Sequence, residues 1–110
     1  MKAMAAGNKR PKKVIISPQA KEDINNILFY LSQNWNQKSI DNFLKKLEIF
    51  YYLISINPRL FGYFNKKQNI RKYAITKQNI IYYRNKKDEV QIITVFDVRQ
   101  KPTKLKKLLR

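Results

Sequence analysis

The chain has 110 residues, 44 % of them hydrophobic, enough for one core and one domain with no room for a second. Cysteine and histidine are both absent, which excludes disulfides, thiolate metal sites and imidazole acid–base chemistry; neither a metal nor a cofactor is expected. A net charge of +17, from 24 basic against 7 acidic residues, favours a polyanionic partner: nucleic acid, an acidic protein, or both in turn.

Met1 to Gly7 is small and mildly apolar, and Lys9, Arg10, Lys12 and Lys13 follow it. A secretory signal places its charge before a longer apolar stretch, so residues 1–11 read as a flexible or added leader and the protein as cytoplasmic. Residues 12–110 then form a single domain. Lys13 to Ser17, with Val14, Ile15 and Ile16, reads as a buried strand. Ser17-Pro18 predicts a helix start, with serine capping the free amides, proline at the first helical position, and Glu22 and Asp23 opposing the helix dipole. Ile24, Ile27, Leu28 and Leu31 form its apolar face. Asn34-Trp35-Asn36 interrupts that pattern, and Trp35 is expected to pack between the helices. The second helix carries Ile40, Phe43, Leu44, Leu47, Phe50, Tyr51 and Ile54 along one stripe until Asn57-Pro58 stops it. So short a connection predicts an antiparallel hairpin. No apolar run approaches the roughly 18 residues that span a bilayer, and no membrane partner is expected.

After a basic loop containing Gly62, Lys66 and Lys67 the period becomes extended. Ile70 to Thr76, Ile80 to Arg84 and Val90 to Phe96 read as three strands, joined by short polar turns at Lys77-Gln78-Asn79 and Asn85-Lys86-Lys87-Asp88. Pro102 to Arg110 suits one or two basic helical turns. The order predicts an α+β domain: an N-terminal strand, an antiparallel helical hairpin and a three-stranded antiparallel meander forming one sheet, with the helices on one face. The charge is unevenly placed. Residues 18–57 hold four bases and four acids, whereas the chain from Pro58 onward holds fifteen bases and three acids, Asp88, Glu89 and Asp97.

Ala20, Asp23-Ile24, Ile27, Tyr30, Trp35, Phe43, Leu47, Leu53, Pro58 and Gly62 stand in an order and spacing similar to the ParE branch of the RelE/ParE superfamily. Arg71, Ile81-Tyr82-Tyr83 and the run Val90 to Phe96 before Asp97-Val98-Arg99 extend the resemblance, which covers about Lys13 to Leu105. It implies a toxin of a type II toxin–antitoxin system, neutralised by a cognate acidic antitoxin that covers the helical-hairpin groove. The superfamily has two modes: RelE-like members cut messenger RNA on the ribosome, and ParE-like members bind and poison DNA gyrase.

RNA cleavage needs a base, an acid and positive charge for the strained phosphate. Under the resemblance Arg71 and Arg99 match basic residues of the RelE-like nucleases and are the catalytic candidates if the chain is one. Two departures count against that. The arginine such enzymes carry in the middle strand falls at Ile80, and their C-terminal tyrosine falls at Leu105. The phosphate-binding half of the machinery is kept and the proton-transfer half is missing. Target binding of gyrase type is therefore preferred over ribosome-dependent, metal-independent mRNA cleavage. A non-toxic nucleic-acid-binding module or degenerate toxin is the third reading. The candidate nucleic-acid or target contacts are Lys66, Lys67, Arg71, Lys72, Tyr83, Arg84, Arg99, Lys101 and Lys104. Tyr82 and Tyr83 must point to opposite faces of their strand, so at most one reaches a ligand.

Overall fold

A computed structural model describes residues 10–110. The leader expected at 1–11 falls outside these residues except for Arg10 and Pro11. Strand β1 (Lys13–Ile16) leads into helix α1 (Pro18–Asn34) through Ser17, whose backbone stays extended. The Ser17 Oγ accepts from the Ala20 amide at 3.0 Å and donates to the Ile93 carbonyl at 2.6 Å, so one side chain both caps the helix and ties it to the sheet. Helix α2 (Gln37–Ile56) starts the same way, with the Asn36 side chain accepting from the Ser39 amide at 3.0 Å. It stops before Pro58, as the proline requires. Glu22 and Asp23 lie beyond the first turn of α1, which holds no acidic residue. The Asp23 carboxylate instead accepts from Thr94 Oγ1 and from the Val95 amide at 2.9 Å. It satisfies a strand edge that β1 is too short to cover.

Four further strands follow: β2 (Tyr63–Asn65), β3 (Ile70–Ala74), β4 (Asn79–Asn85) and β5 (Glu89–Asp97). They order as β1-β5-β4-β3-β2, with β1 parallel to β5 and every other pair antiparallel. The three-residue β2 is an addition to the expected sheet. Along β4 and β5 the register slips between Tyr82, opposite Thr94, and Tyr83, opposite Ile92, leaving Ile93 as an extra residue.

The hairpin covers one face of the sheet. Phe43, Leu47, Phe50 and Ile54, on one stripe of α2, meet Ile81, Tyr83, Val90 and Ile92 from β4 and β5. Phe50 lies at the centre, stacked 5.2 Å from the Tyr73 ring and edge-on at 5.7 Å to Tyr83. Helix α3 (Pro102–Leu108) is the expected C-terminal helical segment and adds a second layer to the fold. It packs on the opposite side of the sheet, where Leu105, Leu108 and Leu109 meet Ile70, Ile80, Tyr82, Ile93 and Phe96. The even spacing of strand residues requires such a second face, since Ile80 and Tyr82 point away from Ile81 and Tyr83. Trp35 does not pack between the helices: it caps the C-terminus of α1 and is 62 % exposed.

Candidate target-binding site

Two of the residues expected to meet a partner are interior. Arg71 on β3 is 8 % exposed, its guanidinium donating to the Phe61 carbonyl at 2.7 Å and lying 3.9 Å over the Tyr63 ring. It fastens the loop between α2 and β2 to the sheet, and its Nε finds no partner among the described residues. Tyr83, opposite it in register, is fully buried and donates to the Pro58 carbonyl at 2.9 Å. Burial pushes its phenol up to about 12, against the opposing pull of the Arg71 charge. Both side chains bind the same loop, and Tyr83 offers no surface to a ligand.

The remaining candidates lie outward. Lys66 and Lys67 are exposed on the turn between β2 and β3, and the neighbouring Arg84 donates to the Gln68 carbonyl at 3.0 Å. Lys72 projects 5.7 Å over the Phe64 ring, whose edge meets Tyr82. Arg99 follows β5 and is 58 % exposed, forming an ion pair with Asp97 at 2.6 Å that keeps the carboxyl below its ordinary value. Beyond it Lys101, Lys104 and Lys107 join Arg99 around a shallow recess of about 420 Å³.

Ile80 and Leu105 stand in the second apolar cluster, under α3. The ionisable side chain closest in kind to a general base there is Tyr82, and burial raises its phenol above the ordinary value. A phenol held protonated at neutral pH cannot take a proton from a 2′-hydroxyl. The carboxylate on this side of the molecule, Asp97, is held in its ion pair with Arg99.

Sequence reasoning missed a crevice of about 490 Å³ where the turn of the hairpin overhangs the ends of β4 and β5. Tyr30, Trp35, Asn79, Asp97, Arg99 and Gln100 are among the residues that line it. The available signal was the tryptophan itself, placed between the end of one helix at Asn34 and the Asn36 cap of the next, where no core stripe runs. Among the described residues no cluster of acidic side chains could hold a metal ion, and no helix is long and apolar enough to cross a membrane.

Comparison with known proteins agrees with this geometry. Residues 14–102 match the family model of the ParE toxin of the type II toxin–antitoxin system parDE. Among solved structures, a chain of the chromosomal ParDE system from P. aeruginosa superposes with a TM-score of 0.62 at 12 % identity, covering 81 % of this chain and 98 % of that one. The YoeB dimer from Staphylococcus aureus gives 0.57 at 21 % identity, over 78 % and 95 % of the two chains. The heterotetrameric YoeB–YefM toxin–antitoxin complex from the same organism gives 0.54, also at 21 %, over 77 % and 94 %. No curated protein matches the sequence. The strand order, the helical hairpin and the matched span together identify the chain as a member of the ParE toxin family of type II toxin–antitoxin systems.

Proposed function

We propose that this toxin stops growth in the cytoplasm by binding an essential target of gyrase type, without cutting RNA itself. The observation that carries the reading is the apolar cluster at Ile80 and Leu105. The two positions where the resemblance to RelE-like nucleases calls for an arginine and a tyrosine are hydrocarbon packed against hydrocarbon. Exposed arginine and lysines surround that cluster and can hold phosphate or acidic side chains, but none is an acid–base pair.

A cognate acidic antitoxin is the second part of the proposal. The likeness to chains of the ParDE and YoeB–YefM toxin–antitoxin systems supports a partner of this kind. Where the two hairpin helices meet strand β1, an apolar groove is lined by Ile16, Ile24, Leu44, Leu47 and Tyr51 together with Lys21 and Glu48. An amphipathic segment suits that groove, and acidic residues on either side of it would meet the basic second half of the chain.

Purified toxin incubated with gyrase and supercoiled DNA tests the first part. Trapped cleaved DNA, with messenger on toxin-treated ribosomes left intact, is the expected result. Cutting of ribosome-bound messenger that is abolished by Arg99→Ala would establish the nuclease reading instead. Inertness in both assays would favour a degenerate toxin.

A further inference from the structure

We infer that the crevice under the hairpin turn and the adjoining lysine recess form one track for single-stranded nucleic acid, with a base in the crevice and its phosphates on the lysines. The inference concerns the toxin's own nucleic-acid contact and stands whether the essential target is gyrase-type or ribosomal.

Three observations carry it. The first is aromatic surface. Trp35 and Tyr30 are exposed at 62 % and 47 %, yet both line a concave crevice of about 490 Å³ rather than a convex patch. A base needs such a face to stack on, and stacking tolerates any base.

The second is an unused donor. Asn79 is 9 % exposed and lines the same crevice. Its Oδ1 accepts from Thr76 Oγ1 at 2.9 Å, while that hydroxyl oxygen accepts the Gln78 and Asn79 amides at 3.1 and 3.0 Å. The turn fixes the orientation of the side-chain amide, and its Nδ2 has no partner among the described residues. This donor still reaches the crevice, so the edge of a base seated there can accept from it. Asn42 and Gln100 add further amides to the lining.

The third is continuity of charge. Arg99 and Gln100 belong to both the crevice and the recess that holds Lys101, Lys104 and Lys107. A nucleotide seated on Trp35 therefore has cations beside it on the side where its backbone must leave. Two carboxylates, Asp23 and Asp97, also line the crevice. Both are already engaged, Asp23 by Thr94 and the Val95 amide and Asp97 by Arg99, so the cations left to face a backbone are the lysines of the recess.

The test uses the single tryptophan of the chain as its reporter. Short oligothymidylate and oligouridylate are titrated into purified toxin, reading Trp35 emission and oligonucleotide anisotropy together. Both signals are expected to saturate at the same concentration, with affinity falling steeply as salt rises. Trp35→Ala is expected to weaken binding by about tenfold and Trp35→Phe to restore most of it. Since Trp35 is exposed, neither change disturbs the core. Asn79→Ala is expected to weaken binding of a base-bearing strand while sparing binding of an abasic one. Tighter binding of the ribo- or of the deoxyribo-oligomer identifies the natural strand, and either agrees with the inference. Three results overturn it: no binding, binding that leaves Trp35 emission unchanged, or equal quenching and competition by polyglutamate.

Discussion

The two faces of the sheet do different work. Under the hairpin, Phe50 alone touches four aromatic rings, those of Tyr51, Phe61, Tyr73 and Tyr83, and the covering helices carry as many acids as bases. Under α3 the apolar cluster has four buried members, Ile70, Tyr82, Phe96 and Leu109, and the helix above them carries Lys104, Lys106 and Lys107 with no acid. Like charges repel one another, so a field of one sign destabilises the surface that bears it. Segregating that field over the smaller core leaves the larger one free of it. The hairpin face carries most of the core, and the α3 side supplies the one-sided positive charge.

The sharpest way to break this comparison is Phe50→Ala, which should cost about 3–5 kcal/mol in urea unfolding because the surrounding rings cannot collapse into the space. A smaller loss than at Leu109 would mean that the hairpin face is not the principal core. Tyr83 sharpens it at high pH. Its phenol sits near 12 in the folded chain against an ordinary 10.0, so folding favours the protonated form. That contribution is complete below pH about 10 and is lost as pH rises through about 12, roughly 3 kcal/mol in all. Tyr83→Phe should abolish this alkaline loss while lowering stability at neutral pH by about 1 kcal/mol, for the missing hydrogen bond to Pro58. On the other face, Leu109→Ala should cost about 2 kcal/mol, the low end for a buried leucine, because it caps a seven-residue helix that can shift to close the space. Arg99→Ala should leave the unfolding midpoint where it is, since its ion pair is exposed, and should weaken growth inhibition. A drop in stability without a loss of toxicity would reverse the roles assigned to the two faces.

Local chemistry made most of the fold legible. The Ser17-Pro18 start, the stop before Pro58, the stripe from Phe43 to Ile54 and the three meander strands each depend on neighbours within a few residues. The departures involve partners far away in sequence. Asp23 acts on Thr94 and Val95 rather than on its own helix, and nothing near residue 23 announces a strand edge 71 residues later. Arg71 has the composition of a surface residue, but the carbonyl of Phe61 and the ring of Tyr63 draw it inside. The three residues of β2 are too few to show alternation, and its two aromatic side chains stay exposed. The size and hydrophobicity of Trp35 suggest core, whereas its position as the cap of α1, next to the Asn36 cap of α2, leaves it no helical face to join. For the site, the basic bias and the missing proton-transfer groups were visible in the sequence. The crevice was not, because it joins residues from α1, α2 and the ends of two strands.

The central claim is that this toxin acts by binding rather than by RNA cleavage, and pulse labelling after induced expression without antitoxin tests it most directly. DNA synthesis is expected to fall first, with a damage response, while protein synthesis continues. A prompt collapse of protein synthesis with DNA synthesis still running would contradict the account and send the search for a proton donor back to the residues around Arg99.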